Sequence, residues 1–328
     1  MNTTIENIFT IKSELEFNEA ALAVFQHQAE SCSIYQQYLA HSSVDFRKIY
    51  HYLAIPFLPI AFFKSHAITS SSKPVEITFT SSGTTTQLTS QHLVQDLSVY
   101  EESYNKAFEL FYGKPSDYCI LALLPAYLER EGSSLIYMVD DLLNQSNHRD
   151  SGYFLHNHEE LYHTLTTLKA SGQKTILIGV TYALLDFTEQ FQIDFPSLIV
   201  METGGMKGKR KEMVRKELHQ LLCASFGVKH IHSEYGMTEL LSQGYSKGNG
   251  IFEAPSWMKI LLRDTSDPLS LNSKAQTTGG VNVIDLANIN SCSFIATQDL
   301  GKKYVDGSFE IIGRFDNADI RGCNLLIQ

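Results

Sequence analysis

Three short apolar runs, at residues 118–124, 175–180 and 198–201, constrain the fold of this chain more than any other feature. None alternates strictly between apolar and polar side chains, and each precedes or follows a helical stretch. They therefore read as strands buried on both faces of a parallel sheet, within an α/β fold. Upstream, Leu15, Ala20, Val24, Tyr35 and Leu39 recur with helical spacing over 13–39, and a short helix is expected over 44–53, before Pro56 and Pro59. A first strand–loop–helix unit follows: a strand at 74–79, a hydroxyl-rich loop, and a helix over 91–112. In that helix Leu93, Leu97, Tyr100, Tyr104, Phe108 and Phe111 fall three or four apart. After Gly244 the texture changes to shorter β-like segments at 257–262, 281–286, 293–297 and 308–312, with Asp, Asn, Ser and Gly turns between them. The expected division is an α/β lobe with a helical lead-in at 1–244 and a β-rich subdomain with a short tail at 245–328, the stretch 265–280 forming a long surface loop.

Composition narrows the function classes. With 43% apolar residues the 328-residue chain can bury a large core, and no apolar run approaches the roughly 20 residues that span a bilayer. Glu6, Lys12, Glu14, Glu16 and Glu19 interrupt the place where a signal peptide would need apolar residues, so a cytoplasmic location is expected. The five widely spaced cysteines lack any zinc-like or redox pairing, and reduced thiols are the default. A net charge of −10 argues against a nucleic-acid partner. Lys207, Lys209, Arg210, Lys211, Arg215 and Lys216 form a local basic cluster at a helix start, either a solvated face or a docking patch for an anion. His156 and His158 give a weak metal signal beside the simpler reading of a polar loop.

The chemistry lies in three blocks. In the first, Ser81, Ser82, Thr84, Thr85 and Thr86 surround Gly83, offering O–H and N–H donors to a polyanion where glycine lets the backbone come close. No Gly-Lys-Ser/Thr sequence ends it, so it is not a Walker loop. In the second, Ser233-Glu-Tyr-Gly-Met-Thr-Glu239 sets Tyr235, Gly236, Thr238 and Glu239 together: a ring to stack, a flexible turn, a hydroxyl and a carboxylate able to hold magnesium. In the third, Asp299 and Arg314 on adjoining β segments offer an acceptor for a ribose diol and a multi-donor fork. Between the first two blocks, Gly204 and Gly205 after a buried strand add a site of close backbone approach. Each block alone has a bland reading as a cap, a tight turn or a surface pair.

Taken in order, the blocks resemble the adenylate-forming superfamily of acyl-CoA synthetases, peptide-synthetase adenylation domains and luciferases, from about Thr78 to Arg321. The resemblance implies the large N-terminal lobe of such an enzyme, with parallel sheet layers, a β-rich C-terminal subdomain, and a mobile C-terminal lid absent or vestigial. It also implies that Ser81, Ser82, Gly83, Thr84 and Thr85 embrace the phosphates of ATP and that Tyr235 stacks on adenine. Thr238 would meet the α-phosphate, Glu239 would help hold Mg, and Asp299 and Arg314 would bind ribose. Gln87 stands near the place where such enzymes often carry a lysine. The tail Asp319-Ile-Arg-Gly-Cys-Asn-Leu-Leu326 is similar to that of the acyl-protein synthetase subunit of the bacterial bioluminescent fatty-acid reductase. That likeness implies transfer of the acyl group to Cys323 and then to a partner; a buried core thiol is the alternative for this cysteine. Thr84, Glu239 and Cys323 are the expected catalytic residues.

The expected activity is ATP-dependent activation of a carboxylic acid, with a fatty acid favoured, as acyl-AMP, and its transfer to a thiol. The acceptors in view are the chain's own cysteine, an acyl carrier protein, a reductase subunit or coenzyme A. An aryl- or acyl-CoA ligase is the alternative enzyme, and a nucleotide-binding scaffold without adenylation the alternative outside enzymes.

Overall fold

The computed structural model describes residues 7–42, 45–81, 89–125, 132–204, 213–265, 267, 269–272 and 277–315. Ser82, Gly83, Thr84, Thr85, Gly205 and Cys323 lie outside the described residues, as do the basic residues 207–211. The chain divides into two compact units, one of Met1–Tyr100, Glu239–Ser242 and Glu253–Gln328, the other of Glu101–Thr238 and Gln243–Phe252.

The second unit holds the parallel sheet. Gly152–Tyr153, Cys119–Leu123, Thr175–Val180, Ile199–Thr203 and His232–Tyr235 lie side by side in that order, all parallel, and Gly244–Ser246 continues the sheet antiparallel. Cys119–Leu123 and Thr175–Val180 are buried at every position, as expected of strands covered on both faces. The helices Ser134–Ser146, His158–Ser171, Thr181–Thr188 and Arg215–Phe226 connect or follow these strands. Ser133 starts the first of them by accepting the Ile136 N–H at 3.3 Å. Gly227 ends the last with φ +66°, where a Cβ would lie 2.6 Å from the Asp194 Cα. The carboxyl ends of the parallel strands are where such sheets bind ligands. Both Gly204 and Tyr235 fall there.

The first unit opens with helices Glu14–Ser31 and Ser33–His41. The expected continuous helical pattern is broken at Cys32, which is extended (φ −89°, ψ 101°) and buried, so the chain turns without losing its apolar face. The helix expected over 44–53 is corrected to two 3-10 turns, Phe46–Lys48 and Tyr52–Ala54, begun by Asp45 and His51 side chains accepting the N–H two residues on. Met258–Arg263, Thr278–Asp285, Phe294–Lys303 and Phe309–Arg314 form an antiparallel meander, joined by Leu58–Pro59 running parallel to Phe294–Lys303. Phe294 packs against Phe25, Tyr35 and Phe57 with ring centroids 5.8 to 6.3 Å apart, which seats the N-terminal helix on this sheet. The long loop expected at 265–280 is shorter at both ends. Asp264 N–H donates to Ser270 O at 2.8 Å, Asn272 N–H to Leu262 O at 2.7 Å, and the next strand begins at Thr278.

The helix expected over 91–112 is shorter at its start, beside the candidate site. Gln91–Val94 is a strand, paired antiparallel with Ile77–Thr80, and the helix begins only at Leu97. His92 and Val94 are buried and Gln91 is exposed, a two-residue period that overrides the helical spacing through Leu93. The hydroxyl loop therefore joins two strands of a hairpin instead of leading into a helix N-terminus.

Candidate functional site

In the first unit the hairpin brings the base of the hydroxyl loop to Glu239. Ser81 N–H donates to Ser90 O at 3.0 Å and Ser90 N–H returns to Ser81 Oγ at 2.9 Å, closing the loop between them. The Ser90 side chain stands beside the Glu239 carboxylate. Burial pushes the Glu239 pKa above the usual carboxylate value; the Ser90 hydroxyl and the charges of Arg314 and Lys64 oppose that rise without cancelling it. The segment carrying Glu239 is held by a second buried acid. Asp285 accepts from the Leu241 N–H at 2.8 Å, the Ser242 N–H at 3.0 Å and the Ser242 hydroxyl at 2.5 Å, and Asn288 Nδ2 donates to the Glu239 carbonyl at 2.7 Å. Burial raises the Asp285 pKa to about 6 despite these donors.

The third block is also assembled in this unit. Asp299 and Arg314 face each other across paired strands, with Arg314 Nε donating to Asp299 Oδ1 at 3.1 Å. Asp299 is buried while the arginine side chain is 74% exposed, so the fork can reorient around a fixed acid. Beside them Arg263, itself buried, donates to the carbonyls of Val281 and Thr297 at 2.7 and 2.5 Å. A Cβ at Gly280 would lie 2.6 Å from its Cζ, which accounts for glycine there.

In the second unit the strand ends carry two carboxylates on neighbouring strands. Glu202 accepts from Ser233 Oγ at 2.8 Å and from Thr181 Oγ1 at 3.1 Å; the Thr181 hydroxyl also lies 2.8 Å from Gly204 O. His219 Nε2 stands 3.6 Å away, too long for a hydrogen bond, so the imidazole acts on Glu202 through charge. Burial would raise the Glu202 pKa, but His219, Arg215 and Ser233 outweigh it and hold the group below the ordinary value. Glu234 accepts from Thr203 Oγ1 at 2.6 Å, and burial, reinforced by Glu202, lifts its pKa to about 7. Gly236 is required beside it, because a Cβ there would collide with Glu234 Oε1. Tyr235 is buried at 8% exposure, its ring edge-on to Phe252 at 6.0 Å, and the Arg215 guanidinium covers Phe252 at 5.3 Å.

Of the expected residues, Ser81, Glu239, Asp299 and Arg314 therefore belong to the first unit, and Gly204, Tyr235, Gly236 and Thr238 to the second. Sequence reasoning missed Ser90, Asp285, Glu202 and Glu234. An acid inside an apolar run, as in Val281-Asn-Val-Ile-Asp285, is the signal that could have found Asp285 and Glu202. Among the described residues no group of three or more His, Cys, Asp or Glu could hold a metal, His156 and His158 included. A lone carboxylate such as Glu239 still suits magnesium, which takes one or two carboxylates and completes its shell with phosphate and water oxygens. No helix among the described residues is long and apolar enough to cross a membrane.

The family profile "Acyl-protein synthetase, LuxE" matches residues 9–328. No curated protein matches the chain. Among solved structures, 2-hydroxyisobutyryl-CoA ligase in the postadenylation state with 2-HIB-AMP aligns with a TM-score of 0.69 at 12% identity, covering 93% of this chain and 68% of that one. ATP-bound MatB from Rhodopseudomonas palustris aligns with a TM-score of 0.56 at 15% identity, covering 74% of this chain and 49% of that one. At these identities the likeness is one of fold. The chain spans about half the length of the MatB structures it matches.

Proposed function

We propose, because the chain belongs to the LuxE acyl-protein synthetase family, that it activates a carboxylic acid with ATP as an acyl-adenylate and passes the acyl group to a thiol. The observation that carries the reading is Ser90, which is bonded to Ser81 at the base of the hydroxyl loop and stands beside Glu239, so that two blocks far apart in sequence come together as a phosphate site needs.

In this reading Ser81, Ser82, Gly83, Thr84 and Thr85 supply donors to the phosphates of ATP, and Gly204 and Gly205 permit close backbone approach. Tyr235, braced by Phe252, is the adenine platform; Thr238 meets the α-phosphate, and Asp299 with Arg314 takes the ribose. Glu239 would hold magnesium, which would offset the charge of the phosphates. The substrate carboxylate oxygen bonds to the α-phosphorus, the bond to the bridging oxygen breaks, and pyrophosphate leaves with its electron pair. The thiolate then attacks the acyl carbon of the mixed anhydride and AMP leaves.

Cys323 is the proposed acceptor. Cys32, Cys119 and Cys292 are buried and Cys223 is half-buried, and burial pushes all four thiols up, Cys119 to about 11, which disfavours the thiolate nucleophile at each. From Cys323 the acyl group would go to an acyl carrier protein or a reductase subunit. Cys323→Ser is expected to keep acid-dependent ATP–pyrophosphate exchange and to lose labelled acyl protein after denaturation, while serine at any other cysteine keeps the label. Label persisting in Cys323→Ser moves the acceptor elsewhere. Acyl-CoA as the product, with no labelled protein, makes the chain a CoA ligase.

A further inference from the structure

The strand that carries Asp299 is irregular where it does so. Between Thr278–Asp285 and Phe294–Lys303 the ladder runs from Ile284 opposite Phe294 to Asn282 opposite Ala296, then resumes with Gly280 opposite Leu300. Thr297, Gln298 and Asp299 therefore stand against the single residue Val281, a bulge that bends the strand at Asp299. Because the surplus is even, the alternation of faces survives: Thr297 and Asp299 are buried and Gln298 is exposed. A buried bulge takes backbone groups out of the ladder, and those groups need other partners.

Arg263 supplies them. It pairs with Gly280 from the next strand, Met258–Arg263, and its guanidinium reaches both sides of the bulge. Nη1 donates to Val281 O at 2.7 Å and to Asn282 Oδ1 at 2.8 Å, and Nη2 donates to Thr297 O at 2.5 Å. The Thr297 hydroxyl completes the clamp, donating to Val281 O at 2.8 Å and accepting the Asp299 N–H at 3.1 Å. The guanidinium also covers the Phe315 ring at 5.5 Å, and the Phe315 N–H donates to Gln298 O at 2.8 Å, which braces the residue after Arg314 against the same bulge. Burial works against the arginine's charge, and Asp299 is the acid that offsets it. An apolar side chain could fill this space but would make none of these bonds.

We propose that Arg263 is a positioning residue for the nucleotide: by clamping the bulge it fixes Asp299 beside Arg314 as the acceptor for the ribose diol, and it acts on the nucleotide through Asp299. This rests on the assignment of Asp299 to ribose. Lysine cannot take the place of Arg263, because an ammonium on one stem does not span the Val281 and Thr297 carbonyls as a planar fork does.

The test is titration calorimetry with magnesium and either ATP or 2′,3′-dideoxy-ATP, which lacks the diol. The parent should bind ATP about 10-fold or more tightly than the dideoxy compound, since hydrogen bonds to a charged group are lost. Asp299→Ala should remove most of that ratio. Arg263→Lys should remove most of it too, while its affinity for the dideoxy compound stays within about two-fold of the parent's. Added to Asp299→Ala, Arg263→Lys should weaken ATP binding by no more than about two-fold further. A merely structural role would weaken both nucleotides alike. That result, a ratio in Arg263→Lys as large as the parent's, or a large further loss in the double variant would overturn the proposal and leave the ribose assignment standing. Should Arg263→Lys fail to fold, Gly280→Ala decides by the same ratio, since it keeps the arginine and sets a Cβ 2.6 Å from its Cζ. A parent that does not bind ATP, a parent ratio near one, or a ratio unchanged by Asp299→Ala would overturn the ribose assignment and this proposal with it.

Discussion

Ser90 shows what a single residue contributes to this site. Its backbone closes the hydroxyl loop through Ser81 and its side chain keeps the Glu239 pKa from rising further. Ser90→Ala should keep the backbone closure and remove the hydroxyl beside Glu239, so the Glu239 pKa moves up. A step that needs ionised Glu239 then fails at a higher pH, and the acid limb of the exchange-rate profile should shift upward; an unmoved limb would detach Glu239 from the reaction. Tyr235→Ala and Asp299→Ala should each remove most of the melting-temperature gain given by ATP with magnesium. That gain corresponds to about 2.7 kcal/mol when ATP is at a hundred times its dissociation constant. A gain equal to the parent's in both variants would contradict the nucleotide assignment. Glu239, Asp299 and Arg314 stand out in the sequence as candidates because their residue types sit in short local patterns. Ser90, Glu202 and Asp285 were not, since what makes them matter is burial and partners distant in sequence, as with Asp285 and Leu241.

Elements were most legible where one force dominates. Continuous apolar runs gave the buried parallel strands, and Thr175–Val180 has the bounds that its composition suggests. The hairpin was misread because Gln91–Val94 leads into a real helix, and Leu93 extends that helix's spacing backward while the burial of His92 and Val94 sets the other period. At this scale Asp285 is the pin between the turn at Leu241–Ser242 and the 3-10 turn Leu286–Asn288, where it also accepts the Ala287 N–H at 3.1 Å. Asp285→Asn would point an amide donor at other donors and should cost about 3 kcal/mol, read by denaturant unfolding at neutral pH. The pH dependence has a definite sign. A folded pKa near 6 against an unfolded value near 3.8 means the folded state holds the proton more tightly. This carboxyl therefore favours folding below the unfolded value, and that contribution fades as pH rises through about 6. The asparagine variant should lack this slope between about pH 4 and pH 6. An unchanged slope would mean that Asp285 titrates normally.

At the scale of the whole molecule, one unit gathers the N-terminal helices, the hydroxyl hairpin, the Glu239 segment and the meander, and the other holds the parallel strand ends with Tyr235 and Glu234. The α/β class was legible because the parallel strands and the β-rich meander differ in apolar texture. How the units share the chain was not, because residues 239–242 belong with strands tens of positions further on, and only their pairing reveals it. The family match spans residues 9–328 and so all three blocks, to which the proposed function gives one chemistry, formation of an acyl-adenylate. Purified protein with magnesium, ATP, labelled pyrophosphate and a panel of carboxylic acids tests that claim most directly. Label should enter ATP only when a suitable acid is present, and tens-fold or more of that rate should be lost in Thr84→Ala and Glu239→Ala, as when an oxyanion-type donor worth about 2.7 kcal/mol is removed. Binding of ATP with no acid-dependent exchange for any acid would contradict it and leave a nucleotide-binding scaffold.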